Sequence, residues 1–416
     1  MKKLLSIVLA LTMIFTLASC GNKAETTTEA KTEVKTEKND DLKVGIVLIG
    51  DENEGYSFSH IDGINEAIKN LGLSKDTVIF KYNIGESAAV HDACVDLAEN
   101  GCKLIITNSY GHQTFCEQAA SEYPELEFVA MTGDTANQSG LDNFHNAFTK
   151  IYEARYCGGV AAGLKIKELD EAGKLSRNNM EDGNIKIGYV GAYPYAEVVS
   201  GYTAFFLGIK SVVPNVVMEV QYTNSWGDMT AEYEAATALI NDGCVIIGQH
   251  ADTTGAPSAV EEALKAGKVC YSVGYNVDME KVAPNAALTS PTNHWGTYYT
   301  YIIDAVKNNK TFDKNWAQGF ETDSVRYTNI TKNCAAGTSE KLEEVKNKIK
   351  DGTIKVFDIN TFTVDGKKVE HAFATDTDGD FTADEDEAIF DGEYHESYYR
   401  SAPSFSLRID GIKELN

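Results

Sequence analysis

Leu42-Lys43-Val44-Gly45-Ile46-Val47-Leu48-Ile49 is a short apolar run rich in β-branched residues, and its pattern returns 143 residues later as Lys186-Ile187-Gly188-Tyr189-Val190. The echo continues at an offset of 142. Asn100-Gly101-Cys102-Lys103-Leu104-Ile105-Ile106 returns as Asp242-Gly243-Cys244-Val245-Ile246-Ile247-Gly248, and Phe128-Val129-Ala130-Met131-Thr132 falls opposite Cys270-Tyr271-Ser272-Val273-Gly274. A repeat of this length is domain-sized, far above solenoid periods. Helical patterns at 61–71, 88–99, 202–213 and 229–241 alternate with the apolar runs. Strand, helix and strand in short alternation imply an α/β fold of two lobes, each a parallel sheet flanked by helices. Gly101 and Gly243 stand where a helix stops and the next strand begins. Ligands of such sheets bind outside the carboxyl ends of the strands, so both lobes are expected to turn their strand-end loops toward one cleft.

Those loops, at 50–60, 107–112, 133–134, 191–198, 224–228, 249–255 and 275–278, are rich in aromatics and directed polar groups. The candidate ligand-binding residues in them are Tyr56, Phe58, His60, Asn108, Ser109, Tyr110, Glu197, Trp226, His250, Asp252, Asn276 and Asp278. Aromatic faces with a few amides and carboxylates suit a flat, polar-edged ligand such as a nucleobase, and equally a sugar ring. Arg155 reads as half of a structural ion pair, and Trp295 as core or support for the site.

Ahead of the first strand, Lys2-Lys3 precede an apolar run from Leu4 to Ala18, shorter than the roughly 20 residues of a membrane span. Leu17-Ala18-Ser19-Cys20 looks like a bacterial lipobox, so residues 1–19 are expected to be a lipoprotein signal peptide and Cys20 to carry the lipid. Two or three acyl chains, at about 0.8 kcal/mol per buried CH₂, anchor durably. Residues 20–42 then form a flexible tether with a reach of roughly 25 Å, which places the body at the extracytoplasmic face of the cell membrane. The rest is expected to divide into lobe 1 at 43–135, lobe 2 at 136–285, a return to lobe 1 at 286–319, and a tail at 320–416 that completes the lobes.

The 416 residues carry 37 lysines and arginines against 62 aspartates and glutamates, a net charge of −25, which repels a nucleic-acid backbone. Beyond Cys20 there are seven cysteines, none in C-x-x-C spacing, so zinc fingers and thioredoxin-like motifs are unsupported. Cys102, Cys244 and Cys270 sit in apolar runs as small buried hydrophobes, with one disulfide among the others left open. Asp376, Asp378, Asp380, Asp384 and Glu387 fall at positions 1, 3, 5, 9 and 12 of a calcium-loop spacing, but Phe381 stands where that loop needs glycine. No G-x-S-x-G elbow, H-E-x-x-H helix or phosphate loop occurs, and an extracellular enzyme would have to rest on Asp252 paired with Asp278. No cofactor is called for.

Several segments in order carry a family resemblance. Glu54-Gly55-Tyr56-Ser57-Phe58-Ser59-His60, Thr107-Asn108-Ser109-Tyr110-Gly111, Asn224-Ser225-Trp226, Gln249-His250-Ala251-Asp252 and Gly274-Tyr275-Asn276-Val277-Asp278-Met279 resemble the basic membrane protein family, the solute-binding lipoproteins of ABC importers. The resemblance implies a two-lobed type I periplasmic-binding-protein fold, a purine or nucleoside in the cleft, an ABC permease as partner and a monomeric body. It implies that Phe58 and Trp226 stack on the base from opposite lobes. The family's ribose-associated aspartate and lysine fall on Asn276 and Asn293, which shifts the expectation toward a free purine base. Two stacked faces supply roughly 2–6 kcal/mol, whereas micromolar affinity needs about 8, so polar loop groups must supply the rest.

Overall fold

The apolar runs that open each repeat are central parallel strands in the computed structural model, which describes residues 42–374 and 385–416. The first repeat folds as β1 (Val44–Val47), α1 (Gly55–Leu71), β2 (Val78–Lys81), α2 (Ala89–Glu99), β3 (Leu104–Thr107), α3 (Gln113–Glu122), β4 (Glu127–Met131) and β5 (Phe144–Thr149). Every residue of β1 and β3 is buried, as strands covered by helices on both faces require. α1 begins where the Glu54 carboxylate accepts from the amides of Tyr56 and Ser57, and it stops at Gly72, whose φ of 62° closes the helix in the left-handed region.

The second repeat runs through α4 (Ile151–Glu171), β6 (Met180–Glu181), β7 (Asn184–Gly191), α5 (Ala196–Lys210), β8 (Val216–Tyr222), α6 (Met229–Asp242), β9 (Ile246–Gln249), α7 (Gly255–Lys265) and β10 (Tyr271–Val273). The chain then makes β11 (Pro291–Asn293), α8 (Trp295–Lys307), β12 (Asn315–Gln318), β13 (Val325–Tyr327), α9 (Thr338–Lys350), β14 (Ile389–Phe390), β15 (Glu393–Tyr394) and β16 (Ile412–Glu414). One sheet has the order β2-β1-β3-β4-β5-β12 and the other β16-β8-β7-β9-β10, so the four strands of each repeat sit in the same spatial order.

The two copies also share their packing. Gly45 lies opposite Ile105 and Gly188 opposite Ile247. A Cβ at Gly45 would meet the Leu97 side chain at 2.8 Å, and one at Gly188 would meet that of Leu239 at 3.0 Å. A leucine of the second helix after that strand, α2 or α6, therefore rests on a bare strand backbone in both lobes. The closest helix contact is α4 on α5, where a Cβ at Gly159 would stand 2.1 Å from the Phe205 carbonyl oxygen and one at Gly208 equally close to that of Tyr156.

The expected boundary at residue 135 moves, because β5 pairs with β4 and β12 and so carries the first sheet on to Thr149. A strand can continue a sheet across what composition marks as a break. α8 returns to the first lobe, where Trp295, Tyr298 and Ile302 join the core beside Ile64 and Ala67 of α1. The C-terminal residues add Leu342, Val345, Phe357 and Phe405 to the core of the second lobe, and β16 extends its sheet. The chain crosses between lobes after β5, β11 and β12, and β11 and β13 pair antiparallel at the crossing.

Among the described residues all seven cysteines are free thiols, six of them buried and Cys334 partly so, and no disulfide forms. No described helix is long and apolar enough to cross a membrane.

Candidate functional site

The order β2-β1-β3 reverses direction at β1, and ligands of open α/β sheets collect at such a switch point. There a cavity of about 240 Å³ opens between the lobes. The first lobe supplies Ile49, Gly50, Glu54 and Tyr56 after β1, Ser109 and Tyr110 after β3, and Thr132 after β4. The second supplies Glu197 in the first turn of α5, Trp226 and Gly227 after β8, Asp252 and Thr253 after β9, and Tyr275 after β10.

Six of the twelve sequence candidates line this cavity: Tyr56, Ser109, Tyr110, Glu197, Trp226 and Asp252. Asn108 and His250 are fully buried behind it. The Asn108 carbonyl oxygen accepts the Tyr56 hydroxyl, while its side-chain oxygen accepts the Ile49 amide at 2.8 Å. His250 Nε2 lies 3.1 Å from Glu197 Oε1.

The other four are placed elsewhere. Phe58 sits two residues past Tyr56 in α1, about 200° around the helix axis, so the two rings cannot face one cleft. Phe58 is 46% exposed and borders a separate cavity of about 170 Å³ together with Asn276 and Asp278. The lobe 1 aromatics that line the main cavity are Tyr56 and Tyr110, and the Tyr110 ring is 6.4 Å from that of Tyr195, itself stacked on Tyr193 beside Trp226. His60, one helical turn beyond Tyr56, points inward, stacked on Trp295 at 4.7 Å with Nδ1 2.7 Å from the Tyr299 hydroxyl. It is a core histidine, and Trp295 is core too. Asp278 caps a short 3-10 turn by accepting the Glu280 amide. Asn276 spends its amide on Asp252 Oδ1 at 3.0 Å and receives Asn293 Nδ2 at 3.1 Å, while Asn293 Oδ1 accepts the Thr149 hydroxyl. Asn276 thus links the hinge to the site.

Arg155 is also reassigned. Its guanidinium is buried, donates to the Tyr189 hydroxyl at 2.6 Å and the Gln249 carbonyl at 2.9 Å, and lies 4.0 Å from the Tyr275 ring centre. These partners are neutral, so it acts as a counter-charge beneath the cleft and not as half of a close ion pair. Residues that line the cavity without being singled out from sequence include Glu54, Thr132 and Thr253, while Tyr275 is among the aromatics of the 275–278 loop but not among the candidates. Glu54 announces itself only as a helix cap. Thr132 holds φ at 62°, rare for a β-branched residue, and nothing local in the sequence signals it.

The electrostatics are those of a buried acidic pocket. Burial pushes Glu197 up to about 7, against the pull of Arg155. Asp252 is held well above the usual carboxylate range by burial and by Glu54, Glu197 and Glu232. Burial and the Arg155 charge hold His250 well below its ordinary value, so it stays neutral. Because the folded-state value of Glu197 is raised, its stability contribution is full below about 4.5 and is lost as pH rises through about 7. In Glu197→Gln the empty protein should therefore gain melting temperature over the wild type above pH 7, and the gain should shrink toward pH 5. A gap that stays constant across that window in scanning calorimetry would contradict this titration.

Of the calcium-loop residues, Asp376, Asp378, Asp380 and Asp384 lie outside the described residues. The Glu387 carboxylate is already engaged by the amides of Ala372 and Ile389 and by His371 at 2.8 Å. Cys20 likewise lies outside the described residues.

Comparison with known proteins places this geometry in context. Residues 46–360 match a family model, Bmp, described as ABC transporter substrate-binding protein PnrA-like. A purine-binding protein of Brucella abortus is 32% identical over 317 residues, covering 76% of this chain and 83% of that protein. An ABC transporter nucleoside-binding protein of Lactococcus lactis is 26% identical over 319 residues, covering 73% and 84%. Among solved structures, an ABC transporter solute-binding protein of Aeropyrum pernix superposes with a TM-score of 0.61 at 18% identity, covering 76% of this chain and 93% of the other.

Proposed function

Since the chain belongs to the Bmp family of PnrA-like substrate-binding proteins of ABC transporters, we propose that its cleft captures a purine base or nucleoside and that the loaded protein delivers it to the permease. The family is one of extracytoplasmic solute-binding proteins and not of enzymes, and we assign this chain no turnover. In our reading it is a monomer held to the membrane by lipid on Cys20. Ligand joins the lobes, and the closed state so stabilised is the one the permease recognises.

The observation that carries the ligand class is the pairing of aromatic walls with an edge made of acceptors. Glu197 Oε1 is engaged by His250 and Asp252 Oδ1 by Asn276. The second oxygen of each has no hydrogen-bond partner among the described residues. A flat heterocycle with an exocyclic amino group supplies N–H donors that favour the ionised, accepting form of both groups over the protonated form that burial favours in the empty cleft. An oxopurine would set a carbonyl oxygen against them, and an unpaired polar group in a closed site discriminates strongly.

Titration calorimetry of the full chain should therefore show adenine binding at micromolar or lower Kd and hypoxanthine at least about tenfold weaker. Native mass spectrometry of protein purified without refolding checks the class independently. A sugar or peptide in the cleft, or no uptake of any purine, would overturn the reading.

A further inference from the structure

The C-terminal residues beyond the family-matched span reach back across the lobe boundary. Residues 396–405 are anchored in the second lobe: Glu396 Oε2 accepts the amides of Ser404 and Phe405 at 3.1 and 2.7 Å, and the Phe405 ring stacks on Phe357 at 4.5 Å. From that anchor the segment touches the first lobe at three successive residues. The Tyr399 carbonyl accepts Asn137 Nδ2 at 3.1 Å, Arg400 Nη1 lies 3.5 Å from Asp134 Oδ2, and the Ser401 amide donates to Asn315 Oδ1 at 3.2 Å. Arg400 is only 8% exposed, and its Nε is buried without a partner.

Asp134 Oδ2 is also the acceptor of the Tyr110 hydroxyl, at 3.3 Å. Tyr110 lines the ligand cavity and is the lobe 1 aromatic nearest Tyr195 across the cleft. The hydroxyl that sets the tilt of a ligand-facing ring is thus held by a carboxylate that a cation from the opposite lobe neutralises. We infer that residues 396–405 are a strap fastening the two lobes together, and that Arg400 is a positioning residue, fixing Tyr110 over the bound ligand through Asp134. This rests on the cleft being the ligand site. A link between lobes that forms only when they are close holds the closed state and slows release, because interactions of this kind act mainly on the dissociation rate.

The test compares Arg400→Gln, Arg400→Lys, Tyr110→Phe and the Arg400→Gln/Tyr110→Phe pair, with Arg408→Gln as control, since Arg408 pairs with Glu414 at 2.8 Å and donates to the Ser406 carbonyl at 2.7 Å, both inside the second lobe. Adenine affinity and dissociation rate are read by calorimetry and stopped-flow fluorescence of the full chain. Arg400→Gln should weaken binding about tenfold through faster release, Arg400→Lys should recover most of it, and Arg408→Gln should match the wild type. Tyr110→Phe should show a similar loss and the pair no larger one, because both break one chain of contacts. Wild-type affinity and release in folded Arg400→Gln, or losses that simply add, would overturn the inference. Should Arg400→Gln fail to fold, Asp134→Asn with Tyr110→Phe makes the same comparison. Should the wild type take up no purine, the ligand reading falls and small-angle scattering decides the strap by itself. Arg400→Gln must then enlarge the radius of gyration, and an unchanged radius refutes the strap.

Discussion

Asp252→Asn is expected to weaken adenine binding by about a hundredfold, while hypoxanthine holds or tightens. Asn276 Nδ2 donates to Asp252 Oδ1, so an asparagine in that position keeps its amide oxygen toward Asn276 and turns its NH₂ into the cleft. An acceptor becomes a donor at the point where the ligand itself donates. A hydrogen bond to a charged group contributes about 1.5–3 kcal/mol, and the mismatch adds the cost of facing two donors, which together reach two decades in Kd. The fold should tolerate the change, because the carboxylate it replaces is itself held in an unfavourable environment well above its ordinary range. Competition calorimetry with the two bases gives the ratio directly. Equal losses for both would mean that Asp252 contributes charge and not edge recognition.

Gly159→Val should have the largest effect on stability, lowering the melting temperature by roughly 4 °C for a loss of about 3 kcal/mol. The Cβ it adds would stand 2.1 Å from the carbonyl oxygen of Phe205, a backbone atom that no rotamer change can move aside. α4 would have to lift off α5, opening the best-packed helix contact of the second lobe and its Val160, Phe205 and Ile209 core. Gly85→Ala, with nothing within 4 Å of the added carbon, should leave the melting temperature unchanged in the same scan. A shift as small in Gly159→Val would mean that the two helices already have room to separate.

The duplicated sheets were legible in the sequence because burial on both faces forces continuous apolar strands, and the same leucine-on-glycine contact recurs in both copies. The extent of the first lobe was less legible. β5, at Phe144–Thr149, mixes polar and apolar residues without a strand's alternation and gains its place by pairing with β4 and with β12, which comes 166 residues after it in the chain. Within the site, strand-end position was enough to find Glu197, Trp226 and Asp252. It could not tell Tyr56 from Phe58, since that choice depends on the rotation of α1 about its axis, which Ile64 and Ala67 fix by packing against α8. Arg155 lies in the second turn of α4, which follows β5 directly but opens none of the strand-end loops singled out from sequence, and the approach of α4 to Tyr275 brings it beneath the cleft. Sequence spacing marks where a loop opens; which side chain enters the cleft is decided by packing on the far side of the element.

The free cysteines have a consequence for the life of the molecule. Burial raises thiols such as Cys102, to about 11, and Cys270, to about 12, which starves them of the thiolate that oxidants and disulfide exchange attack. With every described thiol free, no disulfide among the described residues has to form for the fold to be completed. Among the described residues its lobes are joined by peptide crossings, hydrogen bonds and the Arg400–Asp134 pair and by no disulfide, so redox potential neither locks the clamshell nor springs it. The same fold is available to a cell in oxygen or without it.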